Sequence, residues 1–184
     1  VTFTVQQDLA AGRAFYADIK RRAAAYGRPP HAITVLPGVM TVIGHTRSEA
    51  ADKYERLQAL LSPELAIKDL SSYFGIDLTA YPLDGPVPDP SPAIEQKGRV
   101  KMMVELARRE SLSIRQLYKR VYGQRGHRVV IGTPSEVADA LEAWFRGGAA
   151  DGFNLMPLTF PRGLEDIVDL LIPELQRRGL FRKD

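Results

Sequence analysis

The residues that could carry out chemistry are spread along this chain and form no recognised catalytic motif. His31, His45 and His127 lack the spacing of a His-Glu-x-x-His zinc site, and the chain contains no cysteine. There is no Gly-x-Gly-x-x-Gly, no Gly-x-x-x-x-Gly-Lys and no Gly-x-Ser-x-Gly sequence at the end of a strand. The sequence therefore predicts neither a metal centre nor a catalytic side chain.

Residues 122–128 combine two glycines with three cationic or potentially cationic side chains. This composition suits a loop near an anionic group, so Arg125 and His127 are candidate contacts to a cofactor phosphate or a carboxylate. Val129 is a neighbouring candidate for the pocket wall. A solvated helix C-terminus, where cations are favourable, explains Arg125 and Arg128 equally well, and both interpretations stay open.

Further candidates lie where predicted strands give way to loops, because α/β barrels bind ligands at the carboxyl ends of their strands. Phe3 and Val5 share one face of a strand, which could contact a ligand or belong to the core. Gln6 could bind a substrate through its amide or be solvated.

Asn154, Met156 and Tyr73 are the remaining candidates for substrate contact. Each has a structural alternative: Asn154 could satisfy loop backbone, Met156 could fill a gap in the core, and Tyr73 could anchor an insertion to the barrel.

The elements that position these residues alternate between strand and helix. Residues 3–5 are predicted to form a strand, followed by a helix that Asp8 caps and that ends near Tyr26. Residues 33–43 form the second strand, with a bulge or bend at Pro37 and Gly38, and a capping box at 46–49 opens a helix to about Leu61. This order predicts parallel strands with right-handed crossovers.

The alternation stops at Ser62. Residues 62–96, with the proline-rich stretch 81–92, are interpreted as a surface excursion, and two helices are predicted after it, at about 95–109 and 113–122.

The last third of the chain restores the pattern. A short apolar run at 129–131 precedes a helix at 134–145 with Thr133 as its cap, and residues 151–157 are predicted as a third parallel strand. The final helix starts near Leu164 and restarts at Pro173. The sequence therefore predicts three core strands.

Composition sets the general class. With 184 residues, 45% hydrophobic content and a net charge of +3, the chain is typical of a globular domain without the strong field that nucleic acid binding requires. No apolar run is long enough to span a membrane, and the absence of cysteine favours the cytoplasm. The chain opens without Met inside a predicted strand, which suggests truncation upstream.

Two segments resemble the C-terminal signature of bacterial-luciferase-like flavin monooxygenases: GTPSEVADAL at 132–141 and GGAADGFNLMP at 147–157. Shorter matches resemble the branch containing nitrilotriacetate monooxygenase component A and dibenzothiophene-sulfone monooxygenase. They are FTVQQ at 3–7, VLPG at 35–38, RGHRVV at 125–130 and PELQRRGLF at 173–181.

The resemblance implies that the chain is the C-terminal part of a (β/α)8 TIM barrel, a single domain over 1–184 with a helical, proline-rich insertion at 62–128. It also implies reduced FMN supplied by a separate flavin reductase, dioxygen, and a small organic or xenobiotic substrate. Phe3 and Val5 would then contact flavin or substrate, while the Ser-rich phosphate loop would lie upstream.

The missing N-terminal half of the barrel, or a homo-oligomer, is the implied partner. Two alternatives stay open. One is a non-catalytic half-barrel that acts as an interaction module, since its exposed strand edges would seek a partner. The other is a deazaflavin-dependent oxidoreductase on the same barrel.

Overall fold

A sheet of parallel strands organises the chain. The computed structural model describes residues 1–94, 97–124 and 127–183, and within these ranges it contains four strands. They are β1 (Thr2–Thr4), β2 (Val35–Ile43), β3 (Arg128–Gly132) and β4 (Asn154–Pro157). All of the pairings are parallel, as the alternation of strands and helices predicted.

Strand β2 is the hub of this sheet. Its first residues pair with β1, with Thr4 opposite Pro37, while its second half pairs with both β3 and β4. Residues 39–41 pair with β3 and β4 at once, so these two strands must occupy opposite edges of β2. The pairing with β1 across Pro37 and the pairing with β4 across Gly38 both run without an inserted residue. The bend predicted at these two residues therefore introduces no bulge into either pairing.

The helices of the described chain follow the predicted order with one addition. They are α1 (Leu9–Ala25), α2 (Arg47–Ala59), α3 (Pro63–Phe74), α4 (Lys97–Arg109), α5 (Ile114–Gln124), α6 (Pro134–Arg146), α7 (Arg162–Asp166) and α8 (Ile172–Arg177). A π-helical turn, Ile167–Leu171, joins α7 to α8, and Pro173 stands in the first turn of α8, where the sequence predicted a restart.

The caps explain where these helices begin. Asp8 accepts a hydrogen bond from the Ala11 backbone N–H at 2.8 Å, and Thr133 and Glu136 form the complete capping box predicted for α6. The box predicted at 113–116 is also complete. In α2 only half of it forms, because the Glu49 carboxylate accepts from the His45 backbone N–H instead of from the cap residue.

Three expectations were wrong. The surface excursion predicted from Ser62 onward begins with helix α3, because Ser62 caps its first turn and Pro63 is tolerated there. The apolar run at 129–131 is a paired strand, β3, so the count of three strands was one too low. Helix α5 also continues through Gly123, which was expected to end it.

The chain divides into two compact units: Val1–Glu55 with His127–Asp184, and Arg56–Gly126. In the first unit, apolar side chains from β2, β3, α6 and the C-terminal helices form one core, which we call the sheet core. It consists of Val39, Ile43, Val130, Val137, Ala138, Leu141, Ile167, Leu171 and Leu175.

The second unit has a separate core, contributed mainly by α3, α4 and α5 and including the fully buried Phe74, Leu117 and Tyr118. The single domain over 1–184, with residues 62–128 as its insertion, stays a prediction.

Candidate functional site

The sheet has two different faces. Val39 and Ile43 of β2 are buried in the sheet core with α6 and the C-terminal helices. Alternation turns Met40 and Val42 to the opposite side, which we call the open face. By strand register, the open face consists of Phe3, Leu36, Gly38, Met40, Val42, Val129, Ile131, Asn154 and Met156.

The strands that flank β2 leave part of the open face accessible, although Met40 and Val42 of β2 itself are only 7% and 5% exposed. Phe3 is 51% exposed and Asn154 is exposed, while Val129 and Met156 are half-buried. The face is also mainly apolar. An apolar wall that remains accessible and carries few polar groups is the usual composition of a small-molecule site.

Four predicted site residues, Phe3, Val129, Asn154 and Met156, therefore come together on one face of the sheet. His127 joins them, because its ring packs against Phe3 with the ring centroids 5.6 Å apart. Val5 follows the end of β1 and is 39% exposed. Alternation along one strand had grouped only Phe3 with Val5, and the register of four strands supplies the others.

Gly38 makes the contact between Phe3 and His127 possible. A Cβ atom at this position would lie 2.6 Å from His127 Nδ1 and 2.9 Å from Phe3 Cε2, both closer than a Cβ atom approaches its neighbours. His127 is 8% exposed, and its Nδ1 has no hydrogen-bond partner within the described ranges. The glycine thus leaves room for a buried imidazole on a ligand-accessible wall.

The other predicted residues lie elsewhere. Gln6 donates from Nε2 to the Thr4 hydroxyl at 3.0 Å, and Thr4 alternates with Phe3, so this amide is turned away from the open face. Tyr73 belongs to the second unit and packs against the core of that unit. Arg125 lies outside the described residues.

Arg128 illustrates how the register separates neighbours in sequence. It pairs with Val39 and therefore points to the helix side of the sheet, where its guanidinium lies 5.0 Å from the Trp144 ring centroid. Burial holds the pKa of this guanidinium below its ordinary value. The anion contact considered for Arg128 is thus not directed at the open face.

At the carboxyl ends of β2 and β3, the helix N-termini are occupied by the chain itself. Glu136 accepts from the Thr133 backbone N–H at 2.9 Å, a bond that lowers the pKa of the carboxyl. Glu49 is held by Lys53 and by the His45 N–H, which lower its pKa as well. An external anion at either helix would have to compete with these carboxylates.

At the opposite end of the strands lies a polar cluster that the sequence did not reveal. Asp151 accepts hydrogen bonds from the Tyr16 hydroxyl, Lys20 Nζ and the Val35 backbone N–H, each at 2.8 Å. Lys20 also donates to the carbonyls of Pro30 and Ile33. In barrels, the amino ends of the strands serve stability and not catalysis, so we assign this cluster to stability.

The sequence of this chain is similar to those of known proteins. Residues 1–151 match the family described as luciferase-like monooxygenase. The chain belongs to this family. Among curated relatives, it is 48% identical to nitrilotriacetate monooxygenase component A of Aminobacter aminovorans, over 100% of the chain and 41% of that protein. It is 44% identical to N-acetyl-S-(2-succino)cysteine monooxygenase of Bacillus subtilis, over 100% of the chain and 42% of that protein. The chain thus spans about two-fifths of the length of these relatives.

Solved structures of the luciferase-like family confirm the predicted fold class, the C-terminal part of a TIM barrel. DmoA from Hyphomicrobium sulfonivorans superposes with a TM-score of 0.80 at 26% identity, over 99% of this chain and 38% of that one. EDTA monooxygenase from Chelativorans sp. BNC1 gives 0.68 at 36% identity, over 99% and 43%. A riboflavin lyase solved with modified FMN and riboflavin gives 0.72 at 26% identity, over 98% and 39%.

None of the helices in the described ranges is both long and apolar enough to cross a membrane. Those ranges also contain no group of three or more His, Cys, Asp or Glu side chains placed to hold a metal ion.

Proposed function

We propose that this chain supplies one wall of the active site of a two-component, reduced-flavin-dependent monooxygenase. The enzyme would oxygenate a small organic molecule with dioxygen, and a separate flavin reductase would deliver the flavin. Membership of the luciferase-like monooxygenase family and the names of the relatives support this function.

The observation that carries the proposal is the open face. It gathers Phe3, Val129 and Met156 on the side of the sheet opposite the helices, and Val5 extends it at the carboxyl end of β1. Active sites of TIM barrels lie at the carboxyl ends of the strands, where Val5 and Met156 stand, so we propose that a ligand of the whole barrel lies at that end of the wall.

A flavin ring fits this wall chemically. A flat aromatic ring system needs an apolar surface, and the half-exposed Phe3 offers an aromatic face to it. We propose that Phe3, Val5, His127 and Val129, together with Arg125, contact the FMN. When bound, reduced flavin supplies the reaction with dioxygen, and the role of these side chains is to bind, orient and exclude water.

The phosphate of FMN requires a different place. The backbone N–H groups of His45 and Thr133, just before α2 and α6, already bind the carboxylates of Glu49 and Glu136, so an external anion at either place would have to compete with them. We therefore propose that the phosphate site lies in the part of the barrel outside this chain.

For the substrate, we propose contacts from Asn154 and Met156. The names of three relatives specify nitrilotriacetate, EDTA and N-acetyl-S-(2-succino)cysteine, all of which carry several carboxylates. We propose that the substrate of this protein is likewise a small carboxylated molecule. The missing barrel half, in the same polypeptide or in a second copy, would complete its binding site.

The test uses the whole protein that contains this chain, mixed with an NADH-dependent flavin reductase. FMN binding is followed by the change in flavin fluorescence, and oxygenation by substrate-dependent oxygen consumption and product mass. We expect Phe3→Ala to weaken binding of FMN or substrate about tenfold, a loss of about 1.4 kcal/mol. Phe145→Ala is the matched control, because Phe145 is 48% exposed but lies on α6 at the helix side.

Two outcomes would contradict the proposal. If a deazaflavin binds and FMN does not, the protein is a deazaflavin-dependent oxidoreductase. If neither cofactor binds, the chain acts as an interaction module. For the isolated 184-residue chain we expect weak or no FMN binding, and tight binding would contradict our placement of the cofactor site.

A further inference from the structure

Lys53 joins two elements at the carboxyl ends of the strands. It lies on α2, and its Nζ donates to the carbonyl oxygen of Ile43, the last residue of β2, at 2.8 Å. The same Nζ lies 3.0 Å from Oδ2 of Asp166, the last residue of α7, and 3.1 Å from Oε1 of Glu49. All of these residues belong to the first unit. One ammonium group therefore ties the carboxyl end of β2 to the helix that follows β4.

The contacts of Lys53 are partly shielded from water. The side chains of Lys53 and Asp166 are 28% and 25% exposed. Burial lowers the pKa of Lys53, but its hydrogen bonds to Asp166 and Glu49 outweigh this effect and raise the pKa above the ordinary value of 10.5. Lys53 is therefore charged at neutral pH. Its ion pairs are stronger than those of the open surface, because water screens them less.

The segment between β4 and α7, residues 158–161, is packed against the start of that helix. We call it the β4–α7 loop. The backbone N–H of Gly163 donates to the carbonyl oxygen of Thr159 at 3.1 Å. A Cβ atom at Gly163 would lie 3.0 Å from Thr159 Oγ1 and 3.3 Å from Pro157 Cβ, so the absence of a side chain permits this close approach. A shift of α7 would therefore move the loop.

The β4–α7 loop stands at the carboxyl end of β4 and presents a large apolar side chain to solvent. Phe160 is 73% exposed. Met156, which we propose as a substrate contact, lies next to the last residue of the same strand. Active sites of TIM barrels are built from the loops that follow the strands. The loop is therefore in a position to form one rim of the substrate site.

We infer that Lys53 is a positioning residue for substrate binding. It holds α7 against the end of β2 and thereby fixes the β4–α7 loop at the rim of the site. Lys53 acts through α7 and not by contact with the ligand. The inference rests on the proposed function and assigns to one described side chain the precision of the substrate site.

Lys20 provides a matched control, because it makes the same kinds of contact at the opposite end of the strands. Its Nζ donates to the carbonyls of Pro30 and Ile33 and pairs with Asp151 at 2.8 Å, and its side chain is 15% exposed. Lys20→Met therefore removes at least as many contacts as Lys53→Met and should lower the urea unfolding midpoint at least as much. It leaves the β4–α7 loop unchanged.

The first measurement uses the whole FMN-loaded protein with a flavin reductase, and nitrilotriacetate and N-acetyl-S-(2-succino)cysteine as substrates. Reduced flavin and dioxygen that do not oxygenate a substrate yield oxidised flavin and hydrogen peroxide. We expect Lys53→Met to raise the KM about tenfold, with a smaller change in kcat, and to release more of the oxygen as peroxide, because the substrate is held less precisely. Lys53→Arg keeps the charge and the donors and should restore most of the affinity. Lys20→Met should keep the KM and the peroxide fraction of the wild type.

The second measurement does not depend on activity. Hydrogen–deuterium exchange of residues 158–166 should become about tenfold faster in Lys53→Met, because the segment opens more easily once its tie to β2 is lost. The same segment should exchange at the wild-type rate in Lys20→Met.

The results separate this inference from the proposed function. If Lys53→Met keeps the KM and the peroxide fraction of the wild type, or if Lys20→Met changes both in the same proportion, Lys53 only stabilises the fold. If the wild type oxygenates neither compound, the proposed substrate class fails, and the exchange of residues 158–166 decides whether Lys53 positions the loop. Unchanged exchange in Lys53→Met overturns the inference in either case.

Discussion

Removing the Asp151 carboxylate should destabilise the protein by about 3 kcal/mol. Asp151 joins Tyr16 and Lys20 of α1 to Val35, the first residue of β2, with three hydrogen bonds of 2.8 Å. Its side chain is 27% exposed and that of Lys20 is 15% exposed, so water replaces these bonds only in part.

The magnitude follows from the number of bonds. A hydrogen bond to a charged group contributes about 1.5–3 kcal/mol, so three of them sum to at least about 4.5 kcal/mol. Partial hydration reduces this value, and we expect Asp151→Ala to lower the free energy of unfolding by about 3 kcal/mol. Asp151→Asn keeps the shape and an acceptor oxygen, so its cost should be about half as large.

The pH dependence gives an independent check. Burial raises the pKa of Asp151, but the hydrogen bonds from Lys20, Val35 and Tyr16 outweigh it and bring the pKa below the ordinary value of 3.8. A carboxyl with a lowered pKa stabilises the folded state above pH 3.8 and loses that contribution as the pH falls further. The wild type should therefore lose stability in acid more steeply than Asp151→Asn.

The assay is urea unfolding followed by circular dichroism at pH 7 and at a series of acidic values. Asp18→Asn is the control, because Asp18 forms its ion pairs with Arg21 and Arg22 on the exposed surface of the same helix, α1. It should unfold as the wild type does. If Asp151→Ala costs less than about 1 kcal/mol at pH 7, or if Asp151→Asn keeps the full acid sensitivity, the assignment of the cluster to stability is wrong.

Three other changes test the packing and the caps. Thr133→Ala removes the hydroxyl that caps α6 and should cost about 1 kcal/mol in urea unfolding, with Thr133→Ser restoring most of it. Thr41→Val should raise stability by about 1 kcal/mol in the same assay, because the buried Thr41 hydroxyl has no partner in the described ranges; a loss instead would reveal one. Hydrogen bonds from Arg177 and Arg178 lower the pKa of Glu174 to about 2, so Glu174 stabilises the fold above pH 4.5 and Glu174→Gln should flatten acid unfolding between pH 4.5 and about 2.

The sequence predicted those parts of the fold that depend on local chemistry. The start of α6 was predictable because Thr133, Pro134 and Glu136 each favour a helix N-terminus, and the strand at 35–43 because of its β-branched residues. The start of α3 was missed, although Ser62 and Pro63 are ordinary signals, because the prolines of 81–92 dominated the interpretation of the whole segment.

Non-local features could not be read from the sequence. Strand β3 is five residues long, and its identity as a strand depends on pairing with β2, which precedes it by about 90 positions. The same holds for the candidate site. His127 and Asn154 are unremarkable polar residues until the register places them on either side of Gly38, and no local pattern marks that glycine as the point where two rings meet.

The alternation of β2 fixes the core and the candidate site together. Val39 and Ile43 are almost fully buried against α6 and the C-terminal helices, so a shift of β2 by one residue would turn these side chains out of the core. The same shift would place Val39 where Gly38 now stands, and its side chain would occupy the space of the His127 ring. The apolar side chains that stabilise the sheet on one face therefore also keep the space of the His127 ring free on the other, although none of them lies on the open face.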